Sequence, residues 1–320
     1  MRRLCLTWLA LLGAYPAWAG VAEINPPPEP QSPTPAETTV IVEAPEPLYV
    51  APTLRDRIGR IWAPVLINGK GPYRLVLDTG ATTSAIIPSV ADKLGIPIQE
   101  SSKLKLNGVT GTAMVSFVTA EQLEIGDLLI QNVRLPVVAD VFGGAEGVLG
   151  ANGLRDMRVL IDFGKDLIRI SRSHGERAPA GFTRVRFMDN QLQLAMFDIR
   201  IGSVRTKAIL DTGAQQTIGN ERLRELLLRQ AREARDQDIV GVTLDVAQGK
   251  SMSVPPIALG QIEVRNMRAN FGSMYIFEYW KLTKEPVLVI GMDVIGTLGV
   301  LVIDYKLREL QMRTRGRQIE

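Results

Sequence analysis

The chain has 320 residues, of which 46% are hydrophobic and 22% are charged, and its formal net charge is +3. This length predicts about two domains, the apolar content is sufficient for sizeable cores, and the charged fraction is ordinary for a soluble protein. The charge is nearly balanced and no basic stripe is clustered along the sequence, so composition argues against a nucleic-acid-binding protein.

Residues 1–19 have the pattern of a secretory signal peptide. Two arginines precede the apolar run Leu4–Leu12, and Ala17-Trp18-Ala19 is a small-residue cleavage pattern. We therefore expect a secreted or periplasmic protein. The alternative is an uncleaved anchor, which would hold the protein at a membrane. Cleavage would leave 35 basic and 34 acidic residues and would remove Cys5, the only cysteine, so the mature chain would form no disulfide.

Residues 20–52 are rich in proline, which lacks a backbone donor and favours an extended chain. We interpret them as a semi-rigid linker, with a propeptide or a stem from the membrane as alternatives. The predicted organisation is a signal peptide (1–19), a linker (20–52), a first lobe (53–178) and a second lobe (179–320).

The first lobe begins with a predicted hairpin. Ile61–Ile67 and Arg74–Leu77 are strand-like runs around a glycine turn, and the second run ends at Asp78. Ser89 is predicted to cap a short helix, Val90–Leu94. Gly95 and a nearby proline are predicted to end this helix.

The second lobe repeats this order. Gln193–Ile201 and Arg205–Leu210 are the predicted strands that end at Asp211, and Asn220 is the predicted cap of the following helix. We expect this helix to be longer and more charged than its counterpart. Its predicted apolar face consists of Leu223, Leu226, Leu227 and Ala231.

Each lobe also contains a glycine turn that would suit a mobile flap. In the first lobe the turn is Gly108-Val109-Thr110-Gly111, between two strand-like runs. In the second lobe we place the corresponding turn at Gln248 and Gly249, between Val242–Val246 and Met252–Val254. These flap residues are predicted to contact substrate.

An internal repeat relates the two lobes. Asp78-Thr79-Gly80-Ala81 recurs as Asp211-Thr212-Gly213-Ala214 at an offset of 133 residues, each copy directly after an apolar run. Further on, Val148-Leu149-Gly150 recurs as Val289-Ile290-Gly291 at an offset of 141. Short strands at even spacing with few helices predict an all-β architecture, built from one duplicated unit.

The duplicated Leu-Asp-Thr-Gly-Ala phrase, followed by an apolar-apolar-Gly turn, resembles the retropepsin-like aspartic proteases over roughly residues 60–310. Retroviral members of that family are homodimers with one Asp-Thr-Gly per subunit, and this chain resembles a fused, single-chain version. The resemblance implies two β-barrel lobes with a central cleft, and Asp78 and Asp211 as catalytic residues. It also implies that Thr79 and Thr212 cross-bond the two loops, and that Gly80 and Gly213 admit a close backbone approach.

The resemblance further implies a monomer with pseudo-twofold lobes that acts on an extended polypeptide and prefers hydrophobic side chains beside the cut. No metal and no organic cofactor would be required. Two nearby carboxylates share one proton, so one can accept a proton from water while the other polarises the peptide carbonyl.

Alanine follows the glycine in both copies, at Ala81 and Ala214, where pepsin-like enzymes usually carry a hydroxyl. A hydroxyl there would favour the charged carboxylate, so its absence predicts activity in mildly acid to near-neutral conditions. The copies then differ, since Gln215-Gln216 stands where the first lobe has Thr82-Thr83. We interpret these glutamines as exposed turn residues, with substrate contacts as the alternative.

Other residues carry weaker signals. His174 is the only histidine, and we interpret it as a solvated residue in the connection between lobes. Asp162 and Asp304 are also duplicated, but alternation along a strand would point them outward, so we expect structural roles. Two alternative functions stay open. One is a catalytically silent peptide-binding module of the same fold in the cell envelope. The other is an envelope-associated structural protein tethered by its proline-rich stem.

Overall fold

A computed structural model describes residues 40–43, 59–188, 193–228 and 232–315. The predicted signal peptide and most of the predicted linker lie outside the described residues. One segment of the predicted linker is described. This segment, Val40–Glu43, forms strand β1 and pairs in parallel with residues Ile262–Arg265. None of the helices in these ranges combines the length and the apolar character needed to cross a bilayer.

The first lobe is a mostly antiparallel sheet with one short helix. Its strands in the described ranges are β2 (Trp62–Ile67), β3 (Lys70–Leu77), β4 (Ala85–Ile86), β5 (Gln99–Asn107), β6 (Thr112–Ile125), β7 (Leu128–Pro136) and β8 (Gly147–Leu149), and its helix is α1 (Pro88–Leu94). They form one sheet in the order β4-β8-β3-β2-β6-β5, with β7 paired to β6. The short 3-10 helix Leu154–Asp156 follows β8.

The second lobe repeats this plan. Its strands in the described ranges are β12 (Met196–Ile201), β13 (Val204–Leu210), β14 (Ile218–Asn220), β15 (Arg232–Val240), β16 (Val246–Ser253), β17 (Ile257–Leu259), β18 (Ile262–Arg265), β19 (Arg268–Gly272) and β20 (Val287–Ile290). Its helices are α2 (Glu221–Leu227), α3 (Tyr275–Tyr279) and α4 (Met292–Ile295). The sheet order is β1-β18-β17-β12-β13-β20-β14-β19-β16-β15.

A third sheet joins the lobes. It contains β9 (Met157–Asp162), β10 (Leu167–Arg172), β11 (Thr183–Arg186), β21 (Leu298–Asp304) and β22 (Glu309–Thr314). Strands from both halves of the chain meet in it, since β9 pairs with β21 in the order β10-β9-β21-β22-β11. The all-β prediction with few short helices is therefore confirmed.

The repeat is visible in the burial of matching strands. β2 and β12 both alternate between buried and exposed positions, as expected for strands with one covered face. β3 and β13 both end in three consecutive buried residues, Leu75–Leu77 and Ala208–Leu210. Such a run indicates that the strand end is covered on both faces. The residues that follow these strand ends are Asp78 and Asp211.

Two helix predictions need correction. Ser89 does not cap the helix, because the helix begins at Pro88, two residues before the predicted start, and Ser89 lies inside it. The fixed φ of proline suits the first helical position. Asn220 does cap α2, and its Oδ1 accepts the Leu223 N–H at 2.9 Å. However, α2 ends at Leu227, so it has the same seven-residue length as α1. Ala231, which the sequence pattern places on this helix, lies outside the described residues.

Candidate active site

Asp78 and Asp211 occupy matching positions at the ends of β3 and β13. The Asp78 N–H donates to the Leu149 carbonyl at 2.9 Å, and the Asp211 N–H donates to the Ile290 carbonyl at 3.0 Å. Both carbonyls lie at the end of a neighbouring parallel strand, directly before a glycine. Each aspartate is thus held where its chain leaves the sheet.

Each carboxylate is fixed by its own loop. Oδ1 of Asp78 accepts the backbone N–H groups of Gly80 and Ala81 at 2.9 and 2.8 Å. Oδ1 of Asp211 accepts those of Gly213 and Ala214 at 2.9 and 3.1 Å. One oxygen of each carboxylate is therefore bound by two backbone donors, and this fixes the orientation of the other oxygen.

Thr79 and Thr212 bind the two loops to each other. Each threonine N–H donates to the hydroxyl of the other threonine at 3.1 Å. The Thr79 hydroxyl then donates to the Leu210 carbonyl and the Thr212 hydroxyl to the Leu77 carbonyl, both at 2.7 Å. Both side chains are fully buried, so these bonds are shielded from water.

Gly80 and Gly213 each face the aspartate of the other lobe. A Cβ atom at Gly80 would lie 2.5 Å from Cγ of Asp211, and one at Gly213 would overlap the carboxyl group of Asp78. Real Cβ atoms do not approach so closely, so glycine is required at both positions. The structure therefore brings Asp78, Asp211 and the six predicted supporting residues together at one place.

The downstream glycines have a similar role beneath the loops. A Cβ atom at Gly150 would lie 2.6 Å from the backbone of Thr83, and one at Gly291 would lie 2.7 Å from that of Gln216. The motif loops therefore rest directly on these glycines, which explains why the apolar-apolar-Gly turn recurs in the sequence.

A hydrogen-bonded pair behind each loop completes the repeat. In the first lobe Ser84 donates its N–H and hydroxyl to Oδ1 of Asn152, at 3.0 and 2.9 Å. In the second lobe the N–H of Thr217 donates to Oδ2 of Asp293 at 2.9 Å, and its hydroxyl to Oδ1 at 2.7 Å. No motif marks these residues in the sequence, although Asn152 and Asp293 are separated by the same 141 residues as the two glycine turns.

The environment raises the pKa of both aspartates. Burial is the largest cause for Asp211, the negative charge of Asp78 is the second, and together they raise its pKa well above the ordinary value of 3.8. Burial also raises the pKa of Asp78, although hydrogen bonds from the Ala81 N–H and from Asp211 oppose the shift. Two carboxyl groups of this kind retain one proton between them at pH values where isolated carboxyls are ionised.

The flaps differ from the prediction in one respect. The first tip is the predicted turn, in which the Gly108 N–H donates to the Gly111 carbonyl at 2.8 Å. The second tip is not at Gln248 and Gly249, which lie within β16, but in the turn 241–245 between β15 and β16. Gly249 is a glycine within a strand, and no larger residue fits there, because a Cβ atom would come within 2.9 Å of the Phe271 carbonyl and of Ile239.

The two tips meet over the cleft. A Cβ at Gly108 would lie 3.1 Å from Cγ2 of Thr243, and the Val109 carbonyl accepts the Ile276 N–H of the second lobe at 3.1 Å. Val109 lines the cleft, and Thr110 and Gly111 approach Gly241 and Asp245. The first tip is therefore bonded to the opposite lobe.

A cavity of about 540 Å³ lies between the motif loops and the flaps. Its first-lobe wall includes Ala85, Val138, Val141, Phe142 and Val148, and its second-lobe wall includes Gln215, Gln216, Ile218, Asn270, Ile276 and Trp280. Arg60 also lines it and lies 5.8 Å from the Phe142 ring centroid. The sequence carried no motif that would have singled out Arg60, Asn270 or Trp280.

The remaining candidates lie elsewhere. His174 is exposed, on a segment between β10 and β11. Asp304 does not point outward as predicted but is fully buried, where it accepts from Arg158 at 3.0 Å and from the Ser173 hydroxyl at 2.8 Å. Asp162 accepts the N–H groups of the turn that follows it. Across the described ranges, no three His, Cys, Asp or Glu side chains cluster as a potential metal site.

Comparison with protein families relates both lobes to known proteins. A family model described as "Aspartyl protease" matches residues 63–152 and again residues 197–294, so each match contains one Asp-Thr-Gly loop. The two matches support the internal duplication. A search of curated proteins found no match.

Proposed function

The chain belongs to the aspartyl protease family, in its retropepsin-like form, and we propose that it is an aspartic endopeptidase. In this proposal Asp78 and Asp211 jointly activate the water that hydrolyses a peptide bond. The bond would lie in the cleft beneath the two flaps.

The observation that carries the proposal is the reciprocal bonding of the two motif loops. Thr79 and Thr212 exchange hydrogen bonds at 3.1 Å, and each motif glycine lies against the aspartate of the opposite lobe. This geometry supports a shared dyad, because neither carboxylate can move without displacing the other loop. A protein that only bound peptides would not need two carboxylates at the cost of burying them.

The raised pKa values of the pair support the chemistry. With one proton shared, the ionised carboxyl accepts a proton from water while the protonated one donates a hydrogen bond to the peptide carbonyl, as is general in aspartic proteases. The water oxygen then bonds to the carbonyl carbon. Breakdown of the resulting tetrahedral species cleaves the C–N bond, and a proton passes from the dyad to the leaving amine. We assign these roles to the pair and not to one residue.

The substrate would be an extended polypeptide. The flap hairpins β5–β6 and β15–β16 present backbone groups above the cavity, which suits a peptide bound as an added strand. Apolar side chains such as Val138 and Phe142 on one wall favour a hydrophobic residue there. Neither a metal nor an organic cofactor has a part in this proposal.

We further propose that the protein is secreted or periplasmic and acts as a monomer, because each aspartate already has its partner within one chain. The pattern of residues 1–19 supports the location. Membrane association would follow only if that segment were retained as an anchor.

Cleavage of a diverse peptide library by the full chain tests the function. Products would be identified by mass spectrometry across about pH 3–8, beside Asp78→Asn and Asp211→Asn. The proposal predicts cleavage by the wild type and loss of cleavage in both variants. Cleavage that survives either substitution would contradict a shared dyad. Peptide binding without any cleavage by the wild type would favour the silent peptide-binding module.

A further inference from the structure

Two pairs of corresponding positions differ between the two halves of the cleft. Gln216 lies five residues after Asp211, and its counterpart five residues after Asp78 is Thr83. Strand register gives the second correspondence. Gly219 pairs with Phe271 in the second lobe where Ile86 bridges to Val137 in the first, so Asn270 corresponds to Pro136. The second lobe therefore has two carboxamides where the first has a threonine and a proline.

These two carboxamides are bonded to each other beside the dyad. Nδ2 of Asn270 donates to Oε1 of Gln216 at 2.6 Å. Asn270 is 5% exposed and is held by its backbone, whose N–H donates to the Thr217 carbonyl at 3.0 Å. Gln216 is exposed, and both residues line the cleft. A buried, fixed asparagine thus orients an exposed glutamine at the substrate cavity.

The pair retains unused hydrogen-bonding groups of both kinds. Once Asn270 has donated to Gln216, the pair still has the Gln216 amino group as a donor and the Asn270 carbonyl oxygen as an acceptor. If both amides were turned over, the pair would still offer one donor group and one acceptor group. An adjacent donor and acceptor are the complement of a third carboxamide.

The opposite wall has no carboxamide at the corresponding positions. In the first lobe the cavity is lined by Thr83 and by the apolar residues Ala85, Val138 and Val148. Pro136 has no polar side chain, and Thr83 has one hydroxyl. The two sides of a bound peptide would therefore meet walls of different chemistry.

We propose that Gln216 and Asn270 form a subsite that selects a substrate residue with a carboxamide side chain, glutamine or asparagine, on one side of the cleaved bond. The other side takes an apolar residue against Ala85, Val138 and Val148. An apolar side chain at the amide subsite is disfavoured because it would cover the Asn270 carbonyl without bonding to it. This inference rests on the proposed function for its consequence in cleavage, but it requires only that peptides bind in the cleft.

The test compares the wild type with Gln216→Met, which keeps the size of the side chain and removes its amide. Sequencing of cleavage sites from a peptide library is expected to show glutamine or asparagine enriched at one position, on one side of the cut only. Gln216→Met is expected to lower kcat/KM for a glutamine-containing peptide about tenfold and to leave its leucine analogue unchanged or improved. Thr83→Val is the matched control in the first lobe, and it should leave this preference unchanged.

Binding keeps the outcome separate from that of the proposed function. Asp211→Asn would be used to measure Kd for the paired peptides by fluorescence anisotropy, and it should prefer the glutamine peptide even if the wild type cleaves neither. Absence of the enrichment among peptides that are cleaved, or an equal preference in the wild type and Gln216→Met, would overturn the inference. Equal binding of both peptides by Asp211→Asn, or no binding of either, would also overturn it. Asn270→Leu is a second variant with the same expected direction.

Discussion

The hydroxyl groups of Thr79 and Thr212 each accept the backbone N–H of the other threonine at 3.1 Å, across the boundary between the two lobes. Each hydroxyl also donates to a carbonyl one residue before the opposite aspartate, at 2.7 Å. Four buried hydrogen bonds therefore couple the two motif loops directly. The positions of the carboxylates are consequently a property of the pair of lobes and not of either one.

Removal of one of these hydroxyls should harm both the fold and the site. Thr79→Val keeps the shape but leaves the buried Thr212 N–H and Leu210 carbonyl unpaired, at a cost of about 1–3 kcal/mol for each buried group. We expect a lower Tm and a loss of activity in native protein. Thr79→Ser, which retains the hydroxyl, is the control and should stay close to the wild type in thermal unfolding and cleavage assays. Equal behaviour of the valine and serine variants would show that the hydroxyl is not needed.

The motif glycines make a second prediction. In Gly213→Ala the added methyl would collide with the carboxyl group of Asp78, so we expect cleavage to be lost even if the protein folds. Gly164→Ala is a matched control, because a Cβ there meets only Oδ1 of Asp162 at 3.4 Å, an ordinary contact. Circular dichroism would establish folding and peptide hydrolysis would establish activity. Normal activity in Gly213→Ala would contradict the close approach of the two loops.

The buried carboxyl of Asp211 should make stability depend on pH. Its pKa is raised in the folded state, so the protonated form stabilises the fold, and that contribution is lost as the pH rises from about 4 through the folded pKa. Asp211→Asn does not titrate and should escape this loss. The variant should therefore gain Tm over the wild type at pH 7.5, by about 2–4 °C for each kcal/mol, and gain little at pH 4. An equal difference in Tm at both pH values would contradict the raised pKa.

The alanines that follow the motif glycines predict the acid limit of activity. Ala214 gives its backbone N–H to Asp211 but has no hydroxyl, so its side chain adds no hydrogen bond that would lower the pKa of that carboxyl further. We expect a bell-shaped pH profile with its maximum in mildly acid to near-neutral conditions. Ala214→Ser, which adds a donor, should move the acid limb of kcat/KM to lower pH. A wild-type optimum at about pH 2 would contradict this account.

The sequence alone predicts the elements that the repeat marks twice. Asp78 and Asp211 each follow a buried strand end, and Gly150 and Gly291 each support a motif loop, because backbone packing at these points admits no other residue. Such requirements are local and leave a pattern in the sequence. The proximity of Asp78 and Asp211, the first glycine turn and the all-β fold were predictable for this reason.

Features that depend on distant packing were not predictable. The sequence around Gly249 is typical of a turn. Glycine is needed at this position for another reason, because the backbone of Phe271, which is distant in sequence, packs closely against it. The observed second tip contains Leu244 at a positive φ of 65°. Leucine rarely adopts a positive φ, so its presence in the sequence does not predict a turn. Alternation along its strand predicts an exposed Asp304. Its carboxylate is buried instead, because Arg158 and Ser173 donate hydrogen bonds to it there.

The Gln216–Asn270 contact belongs with the unpredicted features. The sequence marks Gln216 as a departure from the repeat, but it favours an exposed turn residue there. Its partner Asn270 lies 54 positions away, on a strand next to the second flap. Only the fold brings the two amides together at the cleft.

The most direct test of the central claim is a double-mutant cycle on the dyad. It requires kcat/KM for the wild type, Asp78→Asn, Asp211→Asn and the double variant on one cleaved peptide. If the two carboxyls act as one unit, each single substitution should cost about 10³-fold or more, and the double substitution should cost little beyond either. Losses that add in free energy, or a single variant within tenfold of the wild type, would show that the two aspartates do not form one catalytic site.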